Sequence, residues 1–165
     1  MVMENNPYFE VRSSPIAGMG AFASQPIRKG TRIIEYLGER ISPEQADARY
    51  DDDRSEHPLV LLFTVDKKTV IDAGMGGNQA RFINHACEPN CEAVVEERRV
   101  FIEAIRDIPA GRELTYDYSL TREGKFDAET ERRYACRCGA KTCRGTMLEP
   151  VKGRRKKTRV GKTKK

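Results

Sequence analysis

A chain of 165 residues suits one domain with a proper hydrophobic core, alone or with a tail. Its 38% hydrophobic and 33% charged residues fit a polar globular protein and exclude a fibrous or membrane-embedded one. The longest apolar run, LVLLF at 59–63, falls far short of the ~20 residues that cross a bilayer. The opening MVMENNPYFE has no basic start followed by an apolar run, so an intracellular protein without membrane contact is expected.

The net charge of +5 is unevenly spread. Residues 151–165, VKGRRKKTRVGKTKK, hold nine Lys and Arg and no acid. Removing those nine from 30 leaves 21 bases against 25 acids, so residues 1–150 carry −4. The basic stretch has no apolar cluster to bury, and its composition predicts a disordered tail. Such a tail suits sequence-blind contact with nucleic-acid phosphates or another acidic surface. The equal alternative is a solubilising or localising extension.

In chain order, strands are predicted at 8–14 (YFEVRSS) and 31–38 (TRIIEYLG), where β-branched and aromatic residues lie between turn residues. A helix follows at 42–50, SPEQADARY, with Ser42 as cap, Pro43 at the first helical position and Gln45 completing a capping box. Further strands are predicted at 59–65, 69–73, 92–97, 99–105 and 113–118. A second helix at 127–135, DAETERRYA, begins with Asp and has Arg near its end, as a helix dipole favours. PIRKGT and IPAGRE resemble each other, each a Pro-to-Gly turn entering a strand. The fold class is therefore mostly β, several small sheets with few short helices, without βαβ winding.

RFINHACEPNC at 81–91 fits neither a helix nor a strand period, so something other than core packing has selected it. Five cysteines, an odd number, argue against a disulfide framework. Cys136, Cys138 and Cys143 form C-x-C-x4-C around Gly139, a metal knuckle short of its fourth ligand, with redox or incidental use as the alternative.

Five motifs stand in one order: GMGAFA at 18–23, EYLGE at 35–39, RFINHACEPNC, GRELTYDY at 111–118 and CRCGAKTCRG at 136–145. From about Val11 to Gly145 the chain resembles the SET-domain protein lysine methyltransferases with a post-SET zinc module. The resemblance implies a β-clip fold with a threaded pseudo-knot, a SET domain over 8–121, a post-SET region over 122–148 and a tail over 149–165. It implies that S-adenosylmethionine is held by Ala17, Gly18, Met19, Gly20, Arg81, Asn84, His85, Tyr118 and Arg137, with Tyr50 as a further contact. Arg81 and Phe82 would also fix the turn before the Asn84 loop. Cys87 would join Cys136, Cys138 and Cys143 around one structural Zn2+, while Cys91 packs.

The same resemblance makes Tyr118 the catalytic tyrosine and Tyr36 a wall of the lysine channel. Tyr116 would set the degree of methylation, a hydroxyl there implying mainly monomethylation. Leu61 stands where many family members carry Tyr. Asp117, Glu113 and Asp72 are expected to be structural, Met75–Gly77 a permissive link, and His57 and the 51–53 acids surface groups. A basic protein such as a histone, a nucleoid protein or a ribosomal protein would be the substrate, and the chain is expected to be monomeric. Its place would be a nucleoid or a nucleus. The alternatives are a catalytically silent module that binds chromatin or nucleoid through its tail, and methylation of the tail itself.

Overall fold

The computed structural model describes residues 6–50, 61–121 and 127–150. The 151–165 tail, His57, the 51–53 acids and the first residues of the predicted 59–65 strand lie outside the described residues.

Among the described residues, ten short strands form four small sheets. β1 (Phe9–Ser13) pairs antiparallel with β2 (Met19–Ala23). β3 (Arg32–Glu35), β9 (Arg99–Ala104) and β8 (Cys91–Glu96) make a three-stranded antiparallel sheet with β9 central. β4 (Glu39–Ile41), β6 (Thr69–Asp72) and β5 (Leu62–Asp66) make another, with β6 central. All four residues of β6 are buried, as are Val100, Phe101, Ile102 and Ala104 of β9, so both central strands are covered on two faces. β7 (Asn84–His85) and β10 (Thr115–Tyr116) form a two-residue parallel pair. This is where the NH loop meets the later tyrosine segment.

Both predicted helices form. In α1 (Pro43–Arg49) the Ser42 hydroxyl accepts the Gln45 N–H at 3.2 Å and the Gln45 side chain accepts the Ser42 N–H at 2.9 Å. α2 (Ala128–Arg133) is capped by Asp127, whose carboxylate accepts the Thr130 N–H.

The predicted 113–118 strand contracts to β10. Its N-terminal half bonds elsewhere: Leu114 N–H donates to Ala21 C=O, and Glu113 bridges to Phe22. The two similar turn sequences pair with each other. Ile27 and Ile108 exchange both backbone bonds at 2.8 Å, and Gly30 and Gly111 close their turns at φ of +84° and +82°. The main core gathers Phe9, Ile27, Ile33, Ile83, Cys91, Ile102, Ile108, Leu114 and Tyr116 from five strands and the loops between them. Cys91 is fully buried there, and burial pushes its thiol up to about 12, so it is a packed, unreactive residue.

Candidate functional site

The site grows from the meeting of β7 and β10. Asn84 and His85 follow a 3-10 turn, Gln79–Phe82, capped by the Asn78 side chain. Tyr116 and Tyr118 flank Asp117 on the partner segment. What holds that segment is Asn90, the Asn of EPN. Its amide donates to Glu113 C=O at 2.8 Å and accepts Thr115 N–H at 2.9 Å, so one side chain supplies what a neighbouring strand would. Residues 81–91 lack a helix or strand period because side chains such as Asn90 and Arg81 satisfy backbone groups rather than build a face.

The Asn84 amide nitrogen lies 2.8 Å from Glu113 Oε1, 3.0 Å from Met19 O, 3.2 Å from Ser14 Oγ and 3.3 Å from Ala17 O. Four acceptors around an amide fix which end is nitrogen. Ser14 adds its own hydroxyl to Glu113 at 2.7 Å. Asn84, Ser14 and Glu113 thus clamp the 17–20 loop to β7. Gly18 sits at φ +45°, which only glycine adopts without strain. Gly20 is required for another reason. A Cβ there would run into the Glu113 carboxylate and lie 2.8 Å from Ser14 Cβ. Gly20→Ala is therefore expected to break the clamp and cost about 1–3 kcal/mol, the range for overpacking. A urea midpoint unchanged from wild type would refute this.

Three tyrosines stand close together. The Tyr118 hydroxyl donates to Ile83 C=O at 2.8 Å, and its ring lies 4.8 Å from that of Tyr116. Tyr36 donates to Leu61 C=O at 3.0 Å and tilts against Phe63. Leu61 thus meets Tyr36 through its backbone carbonyl. Burial raises all three phenols above their ordinary value; Tyr116 also feels Tyr118 and Tyr36, Tyr118 feels Tyr36 and Glu113, and Tyr36 feels Asp72.

Tyr50 and Arg81 converge on the turn after β6. Tyr50 donates its hydroxyl to Asp72, and Arg81 reaches Ala73 C=O at 3.3 Å. Asp72, fully buried, also takes Arg49 at 2.6 Å and Gly74 N–H at 2.9 Å, so it fastens α1 to this turn. Arg137 stands exposed between two cysteines.

Cys87, Cys136, Cys138 and Cys143 bring their sulfurs within 4.8 Å of one another. Sulfurs placed tetrahedrally at the ~2.3 Å of a zinc–thiolate bond are about 3.8 Å apart. The Cys87 sulfur lies 3.7 Å from that of Cys136 and 3.8 Å from that of Cys143. These separations are too long for a disulfide and suit a shared metal ion. Burial raises the Cys87 and Cys136 thiols, whereas backbone N–H groups of Cys87 and Ala140 and the neighbouring thiols outweigh burial at Cys138 and bring it to about 7.

Residues 18–119 match the SET domain. The chain belongs to the SET-domain family. The match covers Asn84, Glu113 and all three tyrosines, begins after Ser14 and Ala17, and stops before the three C-terminal cysteines. Among relatives of this SET domain, the histone-lysine N-methyltransferase trr of Drosophila melanogaster is 42% identical over 148 residues, 87% of this chain and 6% of that protein. The Saccharomyces cerevisiae histone-lysine N-methyltransferase, H3 lysine-4 specific, is 44% identical over 141 residues, 81% of this chain and 12% of that one. Human histone-lysine N-methyltransferase 2D is 38% identical over 149 residues, 87% of this chain and 2% of that protein. The chain thus spans a small fraction of the relatives it matches. Among the described residues of this SET domain, no helix is long and apolar enough to cross a membrane.

Sequence reasoning missed Ser14, Asn90 and Arg144, and it assigned Glu113 a general structural task. Only the overrepresentation of polar residues in 81–91 and 111–118 signalled that such a network exists.

Proposed function

We propose that the chain is a protein-lysine N-methyltransferase that uses S-adenosylmethionine and acts on a lysine of a basic protein, a histone in the first instance. The observation that carries this reading is the cluster of Tyr36, Tyr116 and Tyr118 against the Asn84 clamp, with Tyr118 bonded within the same turn that precedes Asn84. The relatives, each named a histone-lysine N-methyltransferase, support the substrate class.

S-adenosylmethionine, when bound, supplies an electrophilic methyl group on a positively charged sulfur. The residues fit its amino-acid end. With the Asn84 nitrogen committed to the 17–20 loop, its oxygen is the end left to accept from an ammonium group. Ala17, Gly18 and Met19, which are exposed, and the backbone of His85 would complete that part of the pocket.

The tyrosines act on the substrate amine. A lysine with a reference pKa of ~10.4 is almost wholly protonated at pH 7, and a protonated amine has no lone pair to attack with. Enclosure among buried phenol rings disfavours the charged form and releases the proton to water. The Tyr118 phenol, its pKa raised by burial, stays neutral and orients the amine rather than taking its proton. In-line attack then depends on alignment. Tyr116 would hold a water with its hydroxyl and so limit turnover to monomethyl-lysine. Tyr116→Phe is expected to shift the products towards di- and trimethyl-lysine. Intact-mass spectra showing trimethyl-lysine from the unaltered protein would reject that assignment.

The four cysteines hold one Zn2+ in this reading, closed by four thiolates and therefore structural. A histone substrate implies a nuclear setting, and the basic tail would there add non-specific affinity for DNA.

The decisive experiment is transfer of a labelled methyl group from S-adenosylmethionine to core histones and to a total basic-protein extract, with mapping of the modified lysine. Incorporation into lysine supports the proposal. Donor binding without transfer to any protein would favour a silent module, and label found only within 151–165 would favour methylation of the tail.

A further inference from the structure

The tyrosine segment and the cysteine cluster share partners that close into a ring. Tyr118 N–H donates to His85 Nδ1 at 3.1 Å, so that nitrogen is unprotonated and the imidazole proton resides on Nε2. His85 Nε2 lies 3.5 Å from Cys87 Sγ, within reach of a bond to sulfur. The same sulfur accepts Arg144 N–H at 3.4 Å. The Arg144 guanidinium then turns back onto Asp117, 2.7 Å to one carboxylate oxygen and 2.9 Å to the other. Asp117 is bonded through the chain to Tyr116 on one side and Tyr118 on the other. The edge of the His85 ring meets the Tyr118 ring at 5.3 Å.

Two routes therefore lead from one sulfur to one tyrosine. His85 is 3% exposed and has no room to turn away, and a two-pronged guanidinium–carboxylate pair fixes orientation as well as distance. A metal ion holds its ligand sulfur in place, and the donors on that sulfur are ordered with it. Three cysteines come from 136–143 and one from the loop that carries His85, so assembling the cluster is the event that brings Arg144 to Asp117.

We propose that His85 and the Arg144–Asp117 pair are positioning residues that carry occupancy of the four-cysteine centre to Tyr118. The inference rests on the zinc reading above, and its test keeps the two separable.

The full chain is labelled with 3-fluorotyrosine, its six tyrosines giving six 19F resonances, and the Tyr118 signal is assigned by its loss in Tyr118→Phe. Zinc is removed and titrated back while bound metal is counted with a chromophoric chelator. In the wild type the Tyr118 signal is expected to move as one zinc per chain binds. Arg144→Gln and His85→Asn should still take up one zinc, each with the Tyr118 displacement at least halved, and the double variant should lose it. Arg144→Lys, which keeps a cation opposite Asp117, should recover part of it. If His85→Asn does not fold, Arg144→Gln decides alone. A wild-type displacement in Arg144→Gln overturns the proposal, as does failure of that variant to bind zinc, since Arg144 would then build the centre rather than relay it. Zinc binding that leaves the wild-type Tyr118 signal still overturns the relay and spares the metal reading. No zinc binding by the wild type removes both.

Discussion

Tyr118→Phe is expected to lower kcat for methyl transfer about 100-fold or more, the scale on which a small misplacement of reacting atoms costs rate. Donor affinity should change only a few-fold. The separation follows from where the hydroxyl and the ring make their contacts. The ring packs against Tyr116 at 4.8 Å and against His85 at 5.3 Å, and a phenylalanine ring keeps both contacts. The backbone N–H to His85 is untouched by the substitution. Only the bond to Ile83 C=O is lost, with a stability cost of about 1 kcal/mol for an ordinary hydrogen bond. The clamp proposed to form the donor pocket, made by Asn84, Ser14 and Glu113, does not include Tyr118. Single-turnover rates and equilibrium donor binding measure the two effects independently. Transfer within threefold of wild type would remove Tyr118 from the reaction.

Cys136→Ser is expected to abolish stoichiometric zinc and free residues 127–150 from the rest of the protein. Besides the cysteines, the side-chain ties of that segment to the body are chiefly the Arg144–Asp117 pair and the bonds of Thr142 to Glu88. Its buried residues are Thr130, Tyr134 and Leu148, and its backbone ties to the body are few, chiefly those between Leu120 and 147–149. Burial on that scale cannot order two dozen residues, whereas a structural zinc site is worth about 10–16 kcal/mol in isolated zinc-finger peptides. Limited proteolysis should cut within 127–150 at least tenfold faster in the variant, with the 6–121 part surviving. Methyl transfer should fall at least tenfold, because Arg144 no longer reaches Asp117 between the two tyrosines. Chelation of the wild type should reproduce both effects, and readdition of zinc should reverse them. Wild-type protease resistance and activity in Cys136→Ser would show that the cysteines hold nothing that matters.

The contrast between these residues shows what a linear reading reaches. α1 was legible to the atom because a capping box is local: Ser42 and Gln45 are three residues apart and satisfy each other. β3, β5, β6, β8 and β9 were legible from β-branched runs, and β5 with β6 and β8 with β9 pair as neighbours in sequence. β4 and β7 were not, since two or three residues carry no measurable period, and β2 showed only as a glycine motif. Gly20 is expected from the resemblance to hold the donor; the neighbour that forbids a side chain there, Glu113, lies 93 positions further along. Cys87 was attached to the distant knuckle through the family resemblance, not through spacing, and the sulfur separations now supply the physical reason.

By itself the sequence determined the class of the fold, the order of its elements, the tyrosines and cysteines available for chemistry, and the separation of a mildly acidic body from a basic end. These follow from composition, short-range pattern and motif, which need no knowledge of what meets what. Only the tertiary structure decided that Asn90 stands in for a strand, that Glu113 and Ser14 orient Asn84, and that Arg144 closes onto Asp117. Each of those contacts joins groups more than twenty residues apart, and a polar side chain's partner is set by where the chain returns rather than by its neighbours in sequence.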